Sequence, residues 1–423
     1  MKYEGFAVSE RGYQHILNET VCQDSVQYVQ DLKCAVAAVA DGHGSSQYFR
    51  SDRGSHFAAE ISCNKMREFL HSDVFSESNV KIESIVVTQL IHSIITDWHI
   101  AVRNDLIKCP LTRDEIQKVP EKYLAEYSVF CEENVHSYTE VDLRKKVQSE
   151  QTHIQKAYGT TLITVGVCET YAIGLHIGDG KCVALYEDGT MDEPIPWDGN
   201  CHLNLCTSLC DRNAAEEFRY YIWKEKLPVA IFIGTDGIDD TFAAKLHPFY
   251  RTMALDFLQQ DFRNSVHVLQ SKLIDISRIG SRDDVSIGGI IHVSKMRKME
   301  TKLKLIAALE SAVFQKHHLQ ENESELQFRI EKLQRMYIQY RTKADDHDTE
   351  FHKKTIEYES KIEAAETERT TNQEKQRETE KLIQKLQAEL EAIILESENE
   401  IETSTKSELL ILENEEWKED GID

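Results

Sequence analysis

The sequence predicts an α+β fold over residues 1–294, followed by a helical tail over 295–423. Three observations lead there. Eight short runs of β-branched or alternating apolar residues are punctuated by turn residues; helical patterns stand apart from those runs; and the composition changes abruptly near residue 295. The strand-like runs fall at 5–9, 25–29, 34–40, 160–167, 171–177, 182–186, 229–234 and 285–293. Helical periodicity fills 53–71, 80–105 and 262–278. Tight turns at Glu169-Thr170 and 178–180 join three consecutive runs, so 160–186 reads as an antiparallel meander. The polar, helix-prone segment 106–157 reads as an insertion ahead of the strand that follows Gly159. No internal repeat is visible.

Between Gly289 and Gly421 there is neither glycine nor proline, and the stretch is rich in Glu, Lys, Gln, Leu and Ile, which favours helix. Leu326, Ile330, Leu333, Tyr337 and Tyr340 step by four and three, the spacing of a coiled coil. The rhythm returns at Ile383, Leu386, Leu390 and Ile393. Residues 341–380 are nearly all polar and read as a weak or frayed helix. A two-helix hairpin or a dimerising coil accounts for the spacing better than a solvated single helix.

The formal charge of −24 argues against nucleic acid, whose phosphates require clustered Lys and Arg. Residues 297–423 hold 20 Lys and Arg against 31 Asp and Glu, a charge that disfavours membrane insertion. No stretch reads as the roughly 20 apolar residues that span a bilayer, and the first residues carry no apolar signal core. Ten cysteines are scattered without a Cys-x-x-Cys pair and read as reduced, mostly buried thiols of a cytoplasmic protein. Cys201, Cys206 and Cys210 with His202 fit no zinc spacing well.

Chemistry concentrates where apolar runs end. Asp41-Gly42-His43-Gly44 follows the apolar run 34–40, and Thr235-Asp236-Gly237 follows 229–234. Gly178-Asp179-Gly180 sits where a hairpin turn is needed anyway. Asp24 precedes one run, and Asp283-Asp284 precedes the last. Each is ordinary alone, since Asp-Gly is a common turn and Asp24 could cap a strand. Together they place five carboxylates at five strand boundaries. Carboxylates that converge without Lys or Arg repel each other unless divalent cations lie between them, and His43 stands beside them as a candidate general acid.

In this order, Gln23-Asp24-Ser25, Asp41-Gly42-His43-Gly44, Gly159-Thr160-Thr161-Leu162, Gly178-Asp179-Gly180, Thr235-Asp236-Gly237 and Asp283-Asp284-Val285-Ser286 resemble the metal-dependent type 2C Ser/Thr protein phosphatases. Gly12-Tyr13-Gln14-His15 ahead of Gln23-Asp24 is similar to their bacterial branch, and the likeness covers about residues 3–293. It implies a four-layer αββα sandwich of two antiparallel sheets, with cations at one edge. It also implies that Asp41 bridges two Mn2+ or Mg2+ ions, with the Gly42 carbonyl on one of them and Asp236 and Asp283 on the other. Asp24 would orient a metal-bound water, and Asp179 with Asp236 would hold a third, weaker ion. His43 matches the family's general acid.

The chain departs from the family in places. The family's phosphate-binding arginine would fall on Glu19, leaving His15, Arg11 or Arg50 as substitutes. Asp284 stands where asparagine is common, and Asp240 rather than Asp239 takes the second acidic position after Asp236. The function implied is hydrolysis of phosphoserine and phosphothreonine in protein substrates, by in-line attack of a hydroxide generated between two cations. The alternative is a catalytically silent sensor or scaffold acting through its tail. In either case 297–423 is expected to dock a homodimer mate or a protein partner.

Overall fold

Strand β3 (Ala35–Ala40) fixes the layering, because all six of its residues are buried. Only a strand covered on both faces can be apolar throughout. Val36, Ala38 and Ala40 pack against Ala59, Met66, Ile94 and Trp98 of two helices, α2 (Ser51–His71) and α3 (His92–Lys108), which follow the short α1 (Tyr13–Leu17) in the chain. Ala35, Ala37 and Val39 point the other way and meet Ile163, Ile231, Ile233 and Ile290. The computed structural model describes residues 2–72, 82–149, 151–201, 205–342 and 349–419. It divides into two compact units, Met1–Glu300 and Thr301–Asp423.

The first unit holds two five-stranded antiparallel sheets. One sheet runs β2 (Ser25–Gln30), β3, β4 (Leu162–Val167), β5 (Ala172–Ile177), β8 (Arg219–Trp223). The other runs β1 (Glu4–Glu10), β10 (Val285–Ile291), β9 (Ala230–Gly234), β6 (Lys181–Leu185), β7 (Met191–Asp192). Helices α5 (Leu246–Gln259) and α6 (Phe262–Ile279) flank this second sheet through ring contacts such as Phe6–Phe257 at 4.9 Å and Phe232–Tyr250 at 5.2 Å. The αββα expectation is met.

The meander over 160–186 is not. β4 and β5 are paired, but β6 belongs to the opposite sheet, beside β9. The far edge of β5 is taken by β8, a strand the sequence reading passed over in a half-exposed loop region. Gly178-Asp179-Gly180 is therefore a crossover between sheets. Gly178 sits at φ +114°, a conformation that only glycine takes without strain. Helix α5 was also missed, because Pro248 masks its first turn, where proline is tolerated.

The membrane reading needs one correction. Glu83–Lys108, 26 residues with a mean hydropathy of 1.3, is long and apolar enough to cross a bilayer. Its apolarity has another cause within this fold: Leu90, Ile91, Ile94, Trp98, Val102 and Leu106 all join the core, and Trp98 Nε1 donates to the Gly54 carbonyl at 2.9 Å.

The segment 106–157 forms short helices, including Arg113–Gln117 and Glu140–Ser149. Leu111, Phe130, Val135 and Leu143 join the core cluster of α2 and α3. Arg50, ahead of α2, anchors it. Its guanidinium donates to Glu115 at 2.6 and 3.0 Å, to the Cys109 and Pro110 carbonyls at 2.8 and 3.1 Å, and to the Tyr158 hydroxyl at 2.9 Å.

In the second unit, α7 (Glu300–Arg341, whose first residue belongs to the first unit) and α8 (Thr349–Glu419) pack side by side, running in opposite directions. Lys316 meets Glu380 at 3.1 Å, Glu323 meets Arg369 at 2.6 Å, and the Tyr337 hydroxyl reaches Glu359 at 2.6 Å. Buried positions recur every seventh residue at Ala312, Leu319 and Leu326, and at Ala365, Asn372, Thr379 and Leu386. The frayed helix expected over 341–380 is corrected from Thr349 onward: the stretch is continuous helix, and residues 343–348 lie outside those described. Polar side chains hold its seam, with Asn372 Nδ2 and Gln376 Nε2 both donating to the Leu319 carbonyl at 2.9 and 2.8 Å.

Arg50→Ala should lower unfolding stability by roughly 3 kcal/mol or more, because it strands buried acceptors and the half-buried Glu115 carboxylate. Urea denaturation checks this, and a loss under about 1 kcal/mol would mean that Arg50 does not anchor the segment.

Candidate metal and active site

Strand ends from both sheets meet at one edge, and each acidic side chain is delivered there by a specific device. Asp41 leaves β3 with its N–H donating to Thr161 Oγ1 at 3.0 Å, while its carbonyl accepts from Thr161 N–H and Thr160 Oγ1, both at 2.8 Å. Gly42 then donates to the Gln23 carbonyl at 3.1 Å, and a Cβ there would lie 2.6 Å from that same oxygen. Only glycine permits this approach. The contact brings the segment before Asp24 alongside Asp41.

Asp236 leaves β9 and opens the helix α4 (Asp236–Phe242). Its neighbour Thr235 donates from Oγ1 to Asp24 Oδ2 at 2.9 Å, tying the two sheets together at the site. Asp179 arrives on the crossover. Asp283 and Asp284 follow Arg282, which is held at φ +69°, and the two carboxylates part. Asp284 turns inward and accepts from the Gly12 and Gln23 N–H groups, both at 2.6 Å, and pairs with His15 Nδ1 at 2.8 Å. Asp283 stays more exposed, 3.7 Å from His15 Nε2.

The electrostatics of this edge are repulsive. Desolvation, then Asp236, Asp24 and Asp179, push Asp41 well above the carboxylate range, and a hydrogen bond joins Asp41 to Asp236. Asp24 is raised well above it by burial and then by Asp284. Asp236 is raised to about 7, by desolvation and then by Asp179, with Asp283 and Asp240 adding to it. Asp240 is raised by burial, Asp179 and Asp283. Among the described residues, none of Asp24, Asp41 or Asp236 is paired with lysine or arginine. Asp24, Asp41, Asp179, Asp236 and Asp283 thus face one region, joined by Asp240.

His43 lies on the same side, with its ring 4.7 Å from that of Tyr48. Burial lowers its pKa to about 4, with Asp179 opposing and Lys156 adding to the fall. His15 is raised, chiefly by its hydrogen bond to Asp284. Of the candidate phosphate cations, Arg50 is consumed by the 106–157 segment, and Arg11 donates to the Thr20 carbonyl at 3.3 Å. His15 remains.

Lys156 was missed by the sequence reading. Its ammonium sits 5.7 Å from the centre of the Tyr48 ring, near His43. Its place three residues before Gly159 was the available signal. The role of Asp284 as a hub for Gly12, His15 and Gln23 was also not legible. Of the cysteine cluster, Cys201 and Cys206 lie 3.9 Å apart, Cys206 hydrogen-bonds Asp179, Cys210 sits near Ser208, and His202 lies outside the described residues.

The sequence profile of protein phosphatase 2C matches residues 11–273, more than half of the chain. No curated protein sequence matches the chain. Solved structures similar to it include the serine/threonine phosphatase Stp1 from Staphylococcus aureus, at 13% identity and a TM-score of 0.41, covering 68% of this chain and 94% of that one. RsbX in complex with magnesium aligns at 13% identity and a TM-score of 0.34, covering 68% and 94%. The catalytic domain of the serine threonine protein phosphatase PstP, in complex with two manganese ions, aligns at 15% identity and 0.35, covering 68% and 97%. With the two sheets, the crossover and the ordered acidic motifs in place, the chain belongs to the protein phosphatase 2C family.

Proposed function

We propose that this chain is a Mn2+- or Mg2+-dependent phosphatase of phosphoserine and phosphothreonine in protein substrates. The observation that supports it best is the mutual repulsion of Asp24, Asp41 and Asp236, desolvated together without a basic partner among the described residues. An all-oxygen donor set of this charge fits hard divalent cations. Asp41 with the Gly42 carbonyl, and Asp236 and Asp283, would hold two of them, with Asp24 beside them to orient a metal-bound water; Asp179 with Asp236 would hold a weaker third. When bound, such cations supply an activated water near neutral pH and offset charge on the phosphoryl oxygens.

The chain's own groups do the rest. His43 gives a proton to the departing Ser or Thr oxygen. Its pKa of about 4 in the free protein rises when a phosphate dianion lies beside it, because a nearby negative charge favours the imidazolium. His15, held by Asp284, and Lys156, near Tyr48 and His43, would serve as cations for the substrate phosphate. The thiols take no part in the chemistry.

The direct test is Mn2+-dependent phosphate release from a phosphothreonine peptide and from an aryl phosphate. Asp41→Asn or Asp236→Asn should cut turnover by at least about 10^3-fold at any Mn2+ concentration. Turnover retained in both variants removes the site, and binding of the peptide without turnover in the unaltered chain favours the sensor reading.

His43→Ala should slow the peptide more than the aryl phosphate, whose leaving group needs little protonation. Equal slowing contradicts the acid role.

Stability gives an independent readout. Asp236 has an ordinary value of 3.8 and a folded value of about 7, so the folded chain holds a proton there that the unfolded chain has lost. That contribution is full below pH 3.8 and disappears as pH rises through about 7. In EDTA, Tm of the wild type should fall over this window relative to Asp236→Asn, and saturating Mn2+ should restore it. Identical pH profiles for the two proteins would contradict the desolvated cluster.

A further inference from the structure

The far end of β3 carries a second group of ligating side chains, unlike the first. Asp31 lies in the β2–β3 turn, Cys34 precedes β3, and His71 ends α2. His71 Nε2 is 2.9 Å from Asp31 Oδ2, and Cys34 Sγ lies 3.8 and 3.9 Å from the two Asp31 oxygens. One donor atom from each of the three residues falls within 4.8 Å of the others. A tetrahedral zinc ion, with bonds of about 2.0–2.3 Å, holds its donors roughly 3.3–3.8 Å apart, so little movement is needed. The thiol is fully buried, whereas Asp31 and His71 are partly exposed, which leaves a fourth position open towards solvent.

We propose that Asp31, Cys34 and His71 form a site for a thiophilic divalent cation of the zinc class. Nitrogen, sulfur and oxygen donors together suit zinc rather than manganese or magnesium. The C-terminal end of α2, where helix carbonyls concentrate negative potential, favours a cation as well. An ion here pins the β2–β3 turn to the helix that covers β2 and β3. It sits a strand length, roughly 20 Å, from Asp41 at the other end of β3, and it is separate from the phosphatase centre in position and in donor chemistry. Only a thiolate ligates such an ion, so loading releases a proton and tightens as pH rises.

The test is titration of the full, EDTA-treated chain with Co2+, followed by absorption. One equivalent should give a near-ultraviolet thiolate-to-cobalt band with visible bands of tetrahedral intensity, and one equivalent of Zn2+ should bleach both. The thiolate band should vanish in Cys34→Ser, weaken at least tenfold in affinity in His71→Gln, and persist in Cys109→Ser and Cys206→Ser. His71→Gln alters a partly exposed residue, so it remains informative if Cys34→Ser fails to fold. Absence of the band, its survival in Cys34→Ser, or unchanged affinity in His71→Gln overturns the proposal. So does Co2+ binding that Mn2+ fully displaces without any thiolate band, because the ion would then lie in the acidic centre.

Discussion

Negative charge gathered out of water at the meeting edge of two sheets is the constraint on which the rest of the site depends. Asp24, Asp41 and Asp236 are each raised first by loss of solvent and then by one another, and no lysine or arginine among the described residues neutralises them. Such an arrangement weakens the folded state unless something positive occupies it. The local architecture works to hold it in place. Thr161, Thr160 and Thr235 fix the acidic loops by hydroxyl and backbone bonds, Gly42 lets the Gln23 carbonyl approach, and Asp284 anchors Gly12, His15 and Gln23 from behind. The scaffold spends its polar contacts on orientation. On the function proposed above, neutralisation would fall to bound cations.

The topology explains how residues so distant in sequence converge. Asp41 and Asp236 leave central strands of different sheets, and Asp179 lies on the chain as it passes from one sheet to the other. A hairpin at 178–180 would have kept Asp179 with a single sheet. The crossover, made possible by Gly178 at φ +114°, puts its charge where Asp41, Asp236, Asp240 and His43 all feel it.

Much of this was legible in the sequence, because buried strands and the motifs at their ends are local signals. The six apolar residues of β3 and the five of β9 announce strands covered on both faces, and the acidic motifs that follow them mark the edge. What was not legible depends on partners remote in sequence. The passage of β6 to the other sheet shows only in its pairing with β9, while β8 takes the edge of β5. Helix α5 was hidden by a proline at a position where helices accept one. Arg50 looked like a candidate for phosphate, yet four of its hydrogen bonds hold down the 106–157 segment, including a pairing with Glu115 that no local pattern reveals. Lys156 carries no motif of its own, and only folding brings it to Tyr48 and His43. In the tail, the stretch taken as frayed is helix, because polar Asn372, Gln376 and Arg369 make bonds across the seam that hydrophobic periodicity does not count.

The central claim is that these carboxylates share cations, and crystals of the chain grown with Mn2+ test it most directly through anomalous scattering. The account predicts two strong peaks a few Å apart, with Asp41 between them and Asp236 and Asp283 on one side. A map with no peak at this edge, or with a single ion touching only Asp283, would contradict it.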